Sequence, residues 1–319
     1  KLTDQLLLNV QIPEATGFQT YLSNVGSVRN VGQELELTSR NTTGKFQWGT
    51  SIVISHNTNK ILALAPGQTQ IIIPNGFDGT DQILKVGEAL NSIYVLRYQG
   101  FLTAADIANH WPTYGPAGAE QPGDPKFIDK NGDGVITEAD KQIVAHPSPD
   151  YTFGFTNTFR YNAFDLSVLI QGQHGGSIYS DLGRAITRPG QGYADNTPVS
   201  FAERWISPDN QGAGRFGKTF STYNSPITAT TDWLYSSDYI RVKDITLGYS
   251  LKNVFKKTLQ SARIYFSLEN FFGADKYTNG LNPEASNTSA GSNSAYPEAV
   301  DYGGLPLPKS LIFGLNFTF

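Results

Sequence analysis

The chain has 319 residues, a formal net charge of −4 and only 16% charged residues, with 32 Gly, 19 Phe, 16 Tyr and no Cys or Met. That balance gives no basic field for nucleic acid, and an aromatic- and Gly-rich chain suits strands and turns better than helices. No run approaches the roughly 18 apolar residues of a membrane helix. A membrane location would therefore need a closed barrel, the other structure that satisfies every backbone group in lipid. Lys1 leads almost at once into Leu6-Leu7-Leu8 with no signal peptide, so the chain is expected to start inside a larger protein.

Taken in order, strands are predicted near residues 4–12, 29–41, 45–56, 92–101, 150–160, 163–173, 237–251, 262–272 and 308–319, with a tenth, less defined, between 61 and 74. Phe46, Trp48, Ile52 and Ile54 alternate with Gln47, Gly49, Ser51 and Val53, following Leu35 and Leu37 across the turn Asn41–Gly44. Tyr151, Phe153, Phe155 and Phe159 oppose Thr152, Gly154, Thr156 and Thr158. After a tight turn, Phe164, Leu166, Val168 and Ile170 share one face of the next strand. In Tyr239–Leu251 the parity breaks: Ile240 and Val242 face one way, Ile245, Leu247, Tyr249 and Leu251 the other, so a β-bulge is expected near Lys243-Asp244. Ile264, Phe266 and Leu268 repeat the pattern, and Leu311, Phe313, Leu315, Phe317 and Phe319 line one face of the last strand. A chain ending this way resembles the C-terminal assembly signal of bacterial outer-membrane barrels: Gly314, Phe317 and Phe319 match it, and Ile312 departs from its usual polar position.

Short connections at 42–44, 161–163 and 252–260 contrast with long Gly/Pro/Asn-rich ones at 13–28, 102–149, 174–236 and 273–307. Short turns on one side and long loops on the other is the asymmetry of an outer-membrane barrel. A soluble sandwich or propeller also has short alternating strands, but loops of about 50 residues are uncommon in compact soluble domains. The expected fold is an all-β transmembrane antiparallel barrel.

Within the loop 102–149, Asp129-Lys130-Asn131-Gly132-Asp133-Gly134 opens an EF-hand-like stretch that ends at Asp140. Oxygens of Asp129, Asn131 and Asp133 fall at positions 1, 3 and 5, Gly134 permits the sharp turn, and the Val135 carbonyl supplies position 7. Asp140 stands at position 12 in place of the usual Glu, which shortens its reach. Calcium suits such an oxygen set better than magnesium, in a structural role that stiffens the loop. A solvated Asn/Gly turn would use the same composition.

The residues then carry a resemblance over nearly the whole chain. Asn30-Val31-Gly32-Gln33-Glu34, Gly123-Asp124-Pro125-Lys126-Phe127 and the Asp129–Asp140 loop come first. Pro149–Gly154, Phe164-Asp165-Leu166-Ser167, Gln171-Gly172, Asp238–Tyr249, Glu269-Asn270 and Pro306–Phe319 follow. In this order they resemble the C-terminal third of SusC/RagA-type TonB-dependent outer-membrane transporters. The resemblance implies a multi-pass protein of the bacterial outer membrane that imports glycan or peptide oligomers through a plugged barrel of about 22 strands. It also implies a SusD-like surface lipoprotein over the extracellular mouth, TonB acting through the missing N-terminal part, the rest of the same barrel as partner, and surrounding outer-membrane lipid. The plug and early strands would lie outside this chain.

The loop aromatics Trp111, Trp205, Tyr223 and Trp233 are candidates for stacking on a sugar or peptide, although loop packing or an interfacial girdle is the preferred reading for each one singly. A self-contained ten-stranded barrel enzyme resembling omptin-type proteases would need acids and an Asp–His pair converging at the rim. The four His (His56, His110, His146, His174) look scattered, and only His174 with Asp181 lies near a strand end. Glu34 and Glu36 suit a wet lumen better. No catalytic motif appears, so no enzyme is expected, and a passive pore remains the third alternative.

Overall fold

The computed structural model describes residues 2–11, 20–73, 81–113, 120–187, 196–214, 216–217, 230–255, 259–278, 280–285 and 299–318. Seventeen strands, two short α-helices and three short 3-10 helices are assigned among them. The strands are β1 (Leu2–Gln11), β2 (Thr20–Thr43), β3 (Phe46–Ala63), β4 (Gln70–Ile73), β5 (Asp81–Lys85), β6 (Ser92–Val95) and β7 (Tyr98–Phe101). Then come β8 (Pro125–Phe127), β9 (Gln142–Ala145), β10 (Tyr151–Tyr161), β11 (Phe164–His174), β12 (Ser177–Ser180), β13 (Leu234–Ser236), β14 (Tyr239–Phe255), β15 (Leu259–Asp275), β16 (Val300–Asp301) and β17 (Ser310–Thr318). Helix α1 spans Ala104–Ala108 and α2 Asp181–Thr187.

Eight strands form one antiparallel sheet in the order β1-β2-β3-β10-β11-β14-β15-β17. Neighbours in the sheet are neighbours in sequence, apart from loop strands that fold elsewhere, so the sheet is a meander. Residues 44–45 and 162–163 make tight turns at one end, while the connections 64–150, 175–238 and 276–309 lie at the other.

Period-2 alternation sorts the sheet into two unlike faces. On one face, cross-strand register builds continuous apolar rows. Phe46, Tyr161, Phe164, Tyr249, Ile264 and Leu315 form the row nearest the turns. Trp48, Phe159, Leu166, Leu247, Phe266 and Phe313 form the next. Higher up, Leu37, Ile52, Phe155, Ile170, Val242 and Phe272 align. Much of this face is open to the surroundings: Leu35 is 58% exposed, Phe313 68% and Leu311 64%, while Phe155, Ile170 and Val242 are half-buried. The opposite face carries Glu34, Glu36, Thr156, Gln171 and Arg241, with Asp244, Thr246 and Ser267 hydrogen-bonded to one another. An inside-out sheet of this kind is stable only where the apolar face meets something apolar.

One polar island interrupts the apolar face. Trp48 Nε1 and Thr50 Oγ1 each donate to Asn157 Oδ1 at 2.9 Å, Asn41 Nδ2 donates to Thr50 Oγ1 at 2.8 Å, and Ser39 Oγ donates to Asn41 Oδ1 at 2.9 Å. The polar groups satisfy each other across β2, β3 and β10.

The bulge falls where parity requires it. Leu169 pairs with Asp244 and Ile170 with Val242, leaving Lys243 as the extra residue, so Ile240 and Val242 join the face of Ile245 and Leu247. The strand count differs from the expected ten. Residues 92–101 do not enter the sheet: β6 belongs to a separate four-stranded sheet (β4-β5-β6-β9) and β7 pairs with β8. Ile93 and Val95 are fully buried there, and four residues are too short for a membrane span of roughly nine to eleven. The tenth strand expected between 61 and 74 is likewise the top of β3 followed by β4 in that small sheet. In the last strand Leu311, Phe313, Leu315 and Phe317 share the apolar face, and Phe319 lies outside the described residues.

The long connections build their own core at the end away from the turns. Ile93, Val95, Tyr179 and Trp233 form one buried cluster, Leu96, Phe127 and Ile136 a second, and Val28, Ile61, Ile73 and Leu84 a third. A three-stranded sheet (β13-β12-β16) ties residues 177–180 to 234–236 and 300–301. No described helix is long and apolar enough to cross a membrane.

Candidate functional site

The loop before β10 is pinned before any ion is considered. Thr103 caps α1 and accepts from Asp106 N at 3.1 Å, and Asp106 returns a bond to Thr103 N at 2.9 Å, a capping box. Lys126 Nζ donates to Asp106 Oδ1 at 2.6 Å and sits 3.8 Å over the Trp111 ring, whose Nε1 donates to Phe127 O at 3.1 Å. The bond from Lys126, joined by those from Thr103, holds the Asp106 carboxyl down to about 2.

From there the chain enters the EF-hand-like stretch. Asp129 accepts from Gly132 N (2.6 Å) and Gly134 N (2.8 Å), Asn131 Oδ1 from Asp133 N (2.9 Å), and Asp133 Oδ1 from Val135 N (2.9 Å). Gly132 and Gly134 carry φ of +75° and +82°, the left-handed conformation these turns need. Ile136 then donates its N–H to Thr113 O at 2.7 Å and drops its side chain, 1% exposed, between Leu96 and Phe127.

Asp140 closes the loop. Its Oδ1 accepts from Lys130 N (3.0 Å) and Asn131 N (3.3 Å), its Oδ2 from Thr137 N (2.7 Å), and the residue is fully buried. Next to it Lys141 Nζ bridges to Asp81 at 2.6 Å, fastening the loop to β5. Among the described residues no three His, Cys, Asp or Glu side chains converge as a metal-ligating group. The oxygens of Asp129, Asn131 and Asp133 instead ring the Gly132–Gly134 turn as acceptors of backbone N–H. Each such oxygen keeps a second lone pair, so the donor set fits a hard cation together with the Val135 carbonyl. The short Asp140 side chain spends its oxygens on the backbone.

Three of the four aromatic candidates serve as packing. Trp205 is 8% exposed and lies against Gly123, where an added Cβ would meet its ring at 2.6 Å. Trp233 is 9% exposed within the first loop cluster and donates Nε1 to Thr187 Oγ1 at 3.1 Å. Trp111 is half-buried beneath Lys126. Tyr223 lies outside the described residues.

Two of the four histidines, His56 and His174, come together in space. Tyr151 pairs with both His56 and His174, so the three form one row at the upper end of the apolar face, with the His56 and Tyr151 rings 4.6 Å apart. His146 Nε2 lies 4.0 Å from Asp150 Oδ1. The sequence signal was parity: His56 follows Ile52 and Ile54, and His174 follows Ile170 and Gly172, on the same face. His174 Nδ1 pairs with Asp238 at 2.9 Å and not with Asp181, which starts α2 and is buried. Burial works to raise the Asp238 carboxyl, but hydrogen bonds from Lys276, Gly175 N, His174 and Ser236 outweigh it and hold it well below the usual range.

On the polar face, near the turns, a hollow of about 490 Å³ is lined by Arg40, Thr42, Gln47, Arg160 and Asp165. Arg263 grips Asp165 through Nε (3.2 Å) and Nη2 (2.5 Å). Tyr265 lies over Gly314, where a Cβ would meet its ring at 2.1 Å.

No protein-family model matches the chain. Among curated proteins it is 32% identical to the TonB-dependent receptor P3 of Formosa agariphila, over 99% of this chain and 31% of that protein. It is 28% identical to the TonB-dependent receptor SusC of Bacteroides thetaiotaomicron, over 99% of this chain and 29% of that protein. In three dimensions it superposes on a chain of the RagAB peptide transporter with a TM-score of 0.76 at 22% identity, covering all of this chain and 32% of that one. The chain matches a segment of SusC/RagA-type TonB-dependent receptors. It spans about a third of the length of the curated relatives. The chain is folded as antiparallel strands with almost no helix, as the alternation of residues required. None of these relatives is named as an enzyme, and the omptin-like alternative finds no support among them.

Proposed function

We propose that this SusC/RagA-type chain forms part of a larger plugged barrel in the bacterial outer membrane that imports oligomeric nutrients, glycan or peptide, in a TonB-dependent manner. The observation that carries the reading is the exposed apolar face running through seven strands of a meander that matches transporter segments end to end. From the row of Phe46 to the row of His56 is ten residues, roughly 25 Å at an ordinary barrel tilt, the height of an outer-membrane apolar band. The sheet leaves β1 and β17 unpaired with each other, and an open edge has no place in lipid. The remaining strands, in this reading, come from the rest of the same protein.

In this reading the turns at 44–45 and 162–163 face the periplasm. The connection holding residues 102–149 faces outward, below a SusD-like lipoprotein lid. Calcium, held by Asp129, Asn131, Asp133 and the Val135 carbonyl with Asp140 closing the loop behind them, stiffens that connection and takes no part in transport chemistry. The hollow walled by Arg40 and Arg160 faces the lumen.

The test is growth and uptake. A strain lacking the full-length receptor should lose growth on the oligomer it imports and keep growth on the corresponding monomer, and a protonophore should stop uptake in the wild type. Uptake that persists without energy would identify a passive pore. Unchanged growth of the deletion strain over a panel of glycans and peptides would sink the import reading.

A further inference from the structure

Above the His56–Tyr151–His174 row the β2–β3 ribbon continues upward, and its register sets two cations side by side. Gln33 pairs with His56, Val31 with Thr58 and Arg29 with Lys60. The other face of the ribbon is settled by packing: Val28 and Ile61 are buried beneath Ile73 and Leu84. Arg29 and Lys60 therefore point away from the protein, on the face that carries Leu35 and Leu37 below. Both are exposed, and neither joins an ion pair with the residues whose side chains are described, from Gly26 onward.

Like charges set directly opposite on a sheet repel, and a chain with net charge −4 has no general surplus of cations to explain the pair. Repulsion turns to attraction if an anion sits between them. The depth identifies the anion. Lys60 lies four residues above His56, roughly 10 Å beyond the apolar band at the same tilt, which is the headgroup layer. Directly beneath, the same face carries Val31 (54% exposed), Gln33, Leu35 (58%) and Leu37 (54%), apolar but for Gln33 at the level of His56, with Ile54 beside it.

We propose that Arg29 and Lys60 together bind the phosphate-bearing headgroup of a membrane lipid whose acyl chain lies along Val31, Leu35 and Leu37. The site rests on the barrel reading above. Arg29 supplies a planar fork that suits two phosphate oxygens and Lys60 a point charge. Thr58 has its hydroxyl turned to Val31 O at 3.3 Å, which keeps the lane between headgroup and apolar face free of an unpaired donor.

The experiment uses the full-length receptor in nanodiscs of phosphatidylcholine with stepwise added phosphatidylglycerol. Retained anionic lipid is counted by native mass spectrometry and by titration with a fluorescent phosphatidylglycerol. Wild type should hold the lipid, and the Arg29→Gln/Lys60→Gln double variant should bind it roughly thirtyfold more weakly. Lys60→Gln alone should fall between, and Lys45→Gln, at the opposite end of the same hairpin, should bind as wild type does. Equal retention by the inserted double variant, or an equal loss in Lys45→Gln, would overturn the site. Complete release of the lipid by millimolar inorganic phosphate would overturn the lipid as ligand in favour of a free anion, and retention only when an acidic protein co-purifies would do so in favour of a protein partner. Failure of wild type to enter bilayers would overturn the barrel reading and this site with it.

Discussion

Single residues here are constrained by what lies across the strand. Gly314 is the clearest case, because Tyr265 occupies the space a side chain would need. Gly314→Val should lower the fraction of folded, heat-modifiable receptor in the outer membrane, at a cost of about 1–3 kcal/mol for overpacking. Tyr265→Phe, which keeps the ring, should assemble normally; equal loss in both variants would defeat the account. Asp106 makes a second residue-scale prediction. Its carboxyl is held below its ordinary value chiefly by Lys126, so its contribution is present above about pH 4 and is lost as pH falls through about 2. Hydrogen exchange at the α1 amides should quicken over that window in wild type, whereas in Asp106→Asn it should be fast throughout. These restraints were partly legible beforehand. The turn residues Gly132 and Gly134 and the oxygens at alternate positions announced a folded loop. That Asp140 would bond the backbone was not legible, since only the three-dimensional path brings Lys130 and Thr137 to it.

At the scale of elements, parity did most of the predicting. The switch between Val242 and Ile245 required one extra residue, and Lys243 is that residue. Deleting Lys243 should turn Ile240 and Val242 toward the polar face and leave Arg241 against lipid, abolishing assembly, whereas Lys243→Ala should assemble. Membrane fractionation separates the two outcomes. Period alone could not tell a barrel strand from a strand of a loop sheet. Ser92-Ile93-Tyr94-Val95 reads as a strand and is one, but it is buried on both faces in the four-stranded sheet. The loop core offers the matching prediction. Ile136→Ala should empty space between Leu96 and Phe127 and cost about 2–5 kcal/mol locally. It should speed exchange at residues 129–140 while leaving β10 and β11 protected. If calcium occupies the loop, chelation should produce the same pattern in wild type.

For the whole molecule, the decisive property is which face is wet. Ile170 lies in the middle row of the apolar face, and Thr156 lies on the polar face of the adjacent strand. Ile170→Arg should cost about 2–4 kcal/mol of membrane stability and Thr156→Arg much less. Urea titration of the full-length receptor in lipid vesicles would show the difference, and equal costs would mean that the two faces have been assigned wrongly. The candidate aromatics show the limit of composition at this scale. Trp205 and Trp233 are large, loop-borne and aromatic, as a ligand platform would be, yet a connection of such length needs its own core and spends them there.

The polar island of Ser39, Asn41, Thr50, Asn157 and Trp48 has a consequence for assembly. In water, a hydrogen bond lost by a sliding strand is replaced by solvent, so misalignment costs little. In the barrel proposed above, hydrocarbon offers no replacement, and a one-residue slip would leave these groups unsatisfied at several kcal/mol each. The island then acts as a proofreading latch: β2, β3 and β10 can settle into the lipid at one alignment, and the others are rejected during insertion.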